Sequence, residues 1–190
     1  MRLPLILPFL LFPATAQAAQ ETAIFAGGCF WSMEGAFDDV PGVMSAVSGY
    51  TGGTVANPTY GQVSAGDTGH VEAVKIVYDP DKTTYDKLLA VYWHNVDPFN
   101  ATGQFCDNGP EYRTEIFTTS AAQEKAAHAS MDNVETRLKR KPVTKIMPAA
   151  VFYPAEDYHQ HYEKKNPAQY AAYRLGCGRD RTTESIWGKQ

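Results

Sequence analysis

Gly27 and Gly28 separate two segments of different hydrophobic period. Before them, Thr22 to Ala26 is a short apolar run of strand length; after them, Phe30, Met33 and Phe37 recur on one helical face until Pro41-Gly42 closes the helix near Val40. A strand that turns into a helix over two glycines leaves the helix's unpaired N–H groups and positive dipole end at Cys29. That environment stabilises a thiolate, and the residues beside it, Phe30 and Trp31, supply an apolar wall. The competing reading is a small buried residue under a tight turn. The glycine pair, which lets backbone approach a ligand closely, favours the nucleophile.

The remaining pattern extends this unit. Val43 to Tyr50 and Gly69 to Tyr78 read as strands around a Gly/Thr/Asn/Pro loop (Thr51 to Tyr60). Thr83/Thr84 caps a helix bearing Tyr85, Leu88, Leu89, Tyr92, Trp93 and Val96 at helical period. An irregular stretch from Asp97 to Glu111 is long enough to be functional. Arg113 to Thr118 is a strand, Ser120 and Gln123 form a capping box for a helix carrying Ala127, Met131, Val134 and Leu138, and Ala149 to Tyr153 is the last strand. The order predicts an α+β two-layer sandwich with a split βαβ (ferredoxin-like) core. After Tyr158 a short helix and a Gly/Arg-rich, coil-rich C-terminal tail are expected.

Residues 1–18 stand apart from this domain. Arg2, an apolar segment of about ten residues and Ala16-Gln17-Ala18 form the pattern of a secretory signal peptide with cleavage near Ala18. The apolar run is about half the ~20 residues of a membrane-spanning helix, and Pro4, Pro8 and Pro13 oppose one. The expectation is a single exported, periplasmic domain over residues 19–190, with no membrane span in the mature chain. Lys plus Arg number 17 against 21 Asp plus Glu, without a basic run, which argues against nucleic acid as a partner.

Three cysteines remain: Cys29, Cys106 and Cys177. An odd count in an oxidising compartment leaves a thiol unpaired or pairs that are made and unmade. Paired Cys/His spacings of a structural metal site are missing, so no metal is expected. Glu72 shares a strand face with Val74, Ile76 and Tyr78, where desolvation raises a carboxyl pKa and suits a general acid. The pattern equally allows a strand-end Glu turned to water. Tyr60, Asp107 and Tyr112 lie in the two irregular loops, where each alone reads as an ordinary structural residue. His159 and His161, two apart on an expected helix, read as surface residues.

Gly27-Gly28-Cys29-Phe30-Trp31, Asn57-Pro58-Thr59-Tyr60, Thr68-Gly69-His70-Val71-Glu72, Gln104 to Arg113 and Ala155 to Gln160, in this order, resemble the peptide methionine sulfoxide reductase A family over nearly the whole mature chain. The resemblance implies that Cys29 attacks the sulfoxide sulfur and Glu72 protonates its oxygen. Tyr60 and Tyr112 would hold that oxygen, Asp107 would support the pocket, and Phe30 and Trp31 would receive the substrate methyl group. Methionine leaves and Cys29 becomes a sulfenic acid, which a second thiol converts to a disulfide. It implies no bound cofactor, with an external thioredoxin-like dithiol as reductant. The substrate would be methionine S-sulfoxide, free or in exported proteins, and an exported position requires an exported thioredoxin-like partner.

Three features depart from the family pattern: the tail, the loop at Cys106, and Glu111 before Tyr112. The tail from about residue 164 holds one cysteine, Cys177, between Gly176 and Gly178, and it is read as the resolving thiol. Cys106, beside Asp107, stands where relatives often have Asn; it is a bland neighbour, an alternative resolving thiol, or a relay between Cys29 and Cys177. Two rival classes remain: a cysteine hydrolase, which requires a positioned base such as His70, and a non-catalytic binding module with a static Cys29–Cys177 disulfide.

Overall fold

In a computed structural model describing residues 19–189, β1 (Glu21–Gly27) lies inside a six-stranded sheet, antiparallel both to β3 (Val71–Tyr78) and to β6 (Thr114–Thr118). The β1 strand passes through Gly28 and Cys29 into α1 (Phe30–Asp38), which leads to β2 (Val43–Thr51); α2 (Tyr60–Ser64) then precedes β3. Helix α3 (Tyr85–His94) follows, then a hairpin of β4 (Gly103–Gln104) and β5 (Asp107–Asn108), a 3-10 turn (Pro110–Tyr112) and β6. The chain continues through α4 (Ala121–Leu138), β7 (Lys145–Pro148), β8 (Tyr153–Pro154), α5 (Tyr162–Lys165), α6 (Pro167–Cys177) and α7 (Arg179–Trp187). Strand order is β7-β6-β1-β3-β2-β8, and only β6 and β7 run parallel within a hydrogen-bonded pair.

Helices α1, α3 and α4 bury their apolar stripes against one sheet face. Phe25 of β1 meets Phe37, Tyr85 and Tyr92 with ring centroids 5.1 to 5.9 Å apart, while Val74, Ile76 and Tyr78 enter the same core from β3. Ile24, Ala26, Val71, Ala73, Phe117 and Phe152 cover the opposite face. The mixed α/β architecture expected from the periodicities is present. Thr84 caps α3 by accepting from the Lys87 N–H. Ser120 caps α4, but the Gln123 carboxamide turns to Thr119 instead of closing the capping box.

The last strand does not span Ala149 to Tyr153. Pairing ends β7 at Pro148, and only Tyr153 and Pro154 pair with β2. The tail is also not coil-rich. Pro167 starts α6 without sacrificing a helical hydrogen bond, Gly178 at φ +66 ends it, and α7 begins at once. The glycines thus punctuate two helices. The secretory signal assigned to residues 1–18 lies outside the described residues. No helix among the described residues is long and apolar enough to cross a membrane.

Candidate active site

The strand-to-helix turn is held open for Cys29 by Gly28. Its φ is +80, and a Cβ there would lie 2.5 Å from the Gln104 Cβ. Gln104 is itself fixed, accepting from the Asp97 N–H and donating to the Asp97 and Gly103 carbonyls, so the irregular loop closes over the turn. The Cys29 carbonyl accepts the Ser32 and Met33 N–H groups that begin α1. Its thiol is free and buried.

Glu72 stands opposite. Its side chain is 2% exposed, and its Oε2 accepts the Phe30 N–H at 2.9 Å, so a carboxyl occupies the first free amide of α1. Burial pushes its pKa up to about 8, with the charges of Asp107 and Glu111 adding to the rise and the Phe30 amide opposing it. Glu72 is therefore predominantly protonated at neutral pH. The thiolate expected at Cys29 is not the resting species here. Burial first, then Glu72, push its pKa up to about 12, outweighing the Tyr173 hydroxyl and the Arg179 charge that lower it, while the Phe30 N–H at the helix terminus is already donated to Glu72.

The two loop tyrosines converge on this pair. Tyr60 opens α2 behind a capping box from Thr59, and its N–H donates to Glu156 Oε1 at 2.9 Å. Tyr112 ends the 3-10 turn. Desolvation raises the pKa of both, Glu72 contributes to each rise, and the two hydroxyls lie close enough to interact. Both phenols stay protonated and able to donate. Asp107, half-buried on β5, accepts from the Tyr173 hydroxyl. Phe30 is buried, whereas Trp31 is partly exposed and donates through Nε1 to His159 Nδ1 at 3.0 Å.

Sequence reasoning missed several members of this cluster. His159 is not a surface residue: it is 2% exposed and packs on Phe30, Tyr60 and Trp31, because its segment is an irregular turn in which the i, i+2 helix argument fails. Its neighbour His161 is exposed as expected, beside Asp38. Glu156 ties Tyr60 to Tyr50, whose hydroxyl it accepts at 2.9 Å. Tyr162 stacks on Trp31 at 3.7 Å and 7°. These residues lie in or near the Ala155 to Gln160 stretch, but no local period marks them as inward-facing.

The cysteines pair in a way that the spacing left open. Cys106 and Cys177 are joined by a disulfide, leaving Cys29 outside it, so a static Cys29–Cys177 bond is not what this state holds. Two residues beyond Cys177, fully buried Arg179 donates to the Asn95 and Gly27 carbonyls at 2.6 and 3.3 Å and lies over the Phe105 ring at 4.3 Å. The tail is thereby anchored under the Cys29 turn. His70, the base that a hydrolase would require, is engaged elsewhere: Nδ1 accepts from the Gly53 N–H and Nε2 meets the Val55 carbonyl.

A buried thiol and a neutral acid in one site, beside a disulfide formed by two further cysteines, define a cysteine-dependent oxidoreductase. A family model described as peptide methionine sulfoxide reductase matches residues 21–190. The chain is 50% identical to peptide methionine sulfoxide reductase MsrA 2 of Caulobacter vibrioides over 177 residues, covering 93% of this chain and 90% of that protein. Methionine sulfoxide reductase A of Corynebacterium diphtheriae superposes with TM-score 0.76 at 34% identity, covering 80% of this chain and 77% of that one. Mxr1 from Saccharomyces cerevisiae, in a structure of its complex with Trx2, shares the fold at TM-score 0.54 and 21% identity, covering 78% of this chain and 90% of that one. The chain belongs to the peptide methionine sulfoxide reductase family, MsrA type, and is an oxidoreductase that reduces methionine sulfoxide.

Proposed function

We propose that this enzyme reduces the S epimer of methionine sulfoxide, free or in proteins, through Cys29 and with Glu72 as the acid. The observation that carries the reading is the Glu72 carboxyl, kept protonated by burial and hydrogen-bonded to the amide next to Cys29. A sulfoxide sulfur resists a thiol until its oxygen is protonated. Glu72 gives that proton while Tyr60 and Tyr112 donate to the same oxygen, and Asp107 supports the pocket from β5. Phe30 and Trp31 receive the methyl group. The Cys29 sulfur attacks, methionine leaves, and Cys29 is left as a sulfenic acid.

Cys177 then condenses with that acid, releasing water and forming a Cys29–Cys177 disulfide. Cys106 attacks the Cys177 sulfur, frees Cys29 and leaves the Cys106–Cys177 bond found here; an external thioredoxin-like dithiol reduces it. Support for a thioredoxin-like partner comes from the relative Mxr1, solved with Trx2. No bound cofactor enters the scheme. The signal-like pattern of residues 1–18 supports the reading of an exported, periplasmic enzyme that repairs oxidised exported proteins and is served by an exported thioredoxin-like reductant. The unit β1–α1–β2, with β3 between its strands, supports a split βαβ, ferredoxin-like description of the core.

The test is single turnover by the reduced mature protein, without reductant, on separated S and R epimers. Methionine from the S epimer alone supports the reading. Equal yield from the R epimer removes the stereochemical claim, and undiminished turnover by Cys29→Ser with a dithiol removes the mechanism.

A further inference from the structure

The tail carries a second chemical group into the site. Tyr173 lies four residues before Cys177 on α6, hence on the same helical face. With Cys177 bonded to Cys106, the Tyr173 ring stands edge-on to Trp31, centroids 5.9 Å apart, and its hydroxyl binds Asp107 Oδ2. The same hydroxyl neighbours the Cys29 thiol, where it opposes the burial-driven rise of that thiol's pKa. On the far side, Asp107 Oδ1 is 3.7 Å from the Cys106 sulfur. Cys106, Asp107, Tyr173 and Cys29 thus form one continuous polar path, from the thiol that attacks in the recycling step to the thiol that leaves.

We propose that Tyr173 is a catalytic residue of recycling, passing a proton to the Cys29 sulfur as it leaves, while Asp107 draws the proton of Cys106. This rests on the thiol sequence proposed above. The Cys106–Cys177 bond forms, the Cys29–Cys177 bond breaks with its electron pair moving to Cys29, and one proton travels from Cys106 to Cys29. No oxidant or reductant is consumed. The need for the path follows from the leaving group: a thiol whose pKa is about 12 departs slowly as a bare thiolate, and protonation during departure removes that cost. Burial raises the Asp107 pKa, bringing its carboxyl closer to a group that can take up and release a proton.

The experiment uses reduced full-length mature protein and its Tyr173→Phe variant, mixed with excess S epimer without reductant, acid-quenched at intervals and mapped by peptide mass. Phe keeps the ring against Trp31 and removes only the hydroxyl. In the variant, conversion of Cys29–Cys177 to Cys106–Cys177 is expected to slow by about tenfold or more, so the Cys29-linked species accumulates. In the wild type that step is expected to slow in heavy water, and in the variant this dependence is expected to vanish. A purely structural role would move neither the isotope dependence nor the species that accumulates. Conversion at the wild-type rate in Tyr173→Phe, or no isotope dependence in the wild type, overturns the proposal. No methionine from the wild type overturns the reductase mechanism itself, so the two failures are distinguishable.

Discussion

The Glu72 carboxyl, the acid of the proposed mechanism, is buried at a cost in stability, and both sides of that proposal are measurable. Its carboxyl is held neutral up to about pH 8, against an ordinary value of 4.5. The acid form therefore declines as pH rises through 8, and the single-turnover rate is expected to fall along that limb. Glu72→Gln should lower the rate by about a hundredfold or more and flatten the limb, leaving the Cys29 thiol intact to titration. The stability effect has the opposite direction. Between pH 4.5 and 8 the folded chain holds a proton that the unfolded chain has lost, so Glu72 reduces stability progressively as pH rises across that window. Thermal unfolding of Glu72→Gln at pH 8 should accordingly give a midpoint higher by several degrees. Cys29→Ser should abolish methionine formation, because serine cannot accept the oxidation that the sulfur undergoes.

At the scale of elements, the Gly28 turn and the tail decide whether these groups meet. Gly28→Ala forces a Cβ against the Gln104 side chain at a backbone angle that disfavours L side chains. A loss of about 2–4 kcal/mol, read as a lowered unfolding midpoint, is expected. Glu72 was legible because a carboxylate among Val74, Ile76 and Tyr78 breaks a period-two pattern, and the Cys29 turn was legible because the period changes across two glycines. His159 and Tyr173 were not. His159 faces inward from an irregular turn, and Tyr173 reaches the site through long-range packing of the tail, held by the Arg179 anchor and the Asp107 hydrogen bond, which leaves no local trace. The tail glycines misled for a related reason: Gly178 can end one helix and immediately precede another, a use that composition does not distinguish from coil.

Across the whole molecule, the sheet and its helices hold Cys29 and Glu72 while the C-terminal segment brings Cys177, the proposed recycling thiol, beside them. Arg179 is the mechanical link, buried under the Gly27 carbonyl two residues after Cys177. Arg179→Met is expected to loosen the tail, so that Cys29 alkylation accelerates in the oxidised enzyme and Cys106–Cys177 closure falls behind. Cys177→Ser should stop after about one methionine per protein, unless Cys106 condenses directly with the Cys29 sulfenic acid, an outcome that peptide mapping identifies.

The central claim is that Cys29 takes up the oxidation and then hands it to Cys106 and Cys177. Its most direct test mixes fully reduced mature protein, without reductant, with separated S and R epimers of a blocked methionine sulfoxide, then measures methionine and maps cysteine linkages. Methionine from the S epimer alone, ending in a Cys106–Cys177 bond with Cys29 outside it, is the expected result. No methionine from either epimer, with all three thiols still free, would contradict the account.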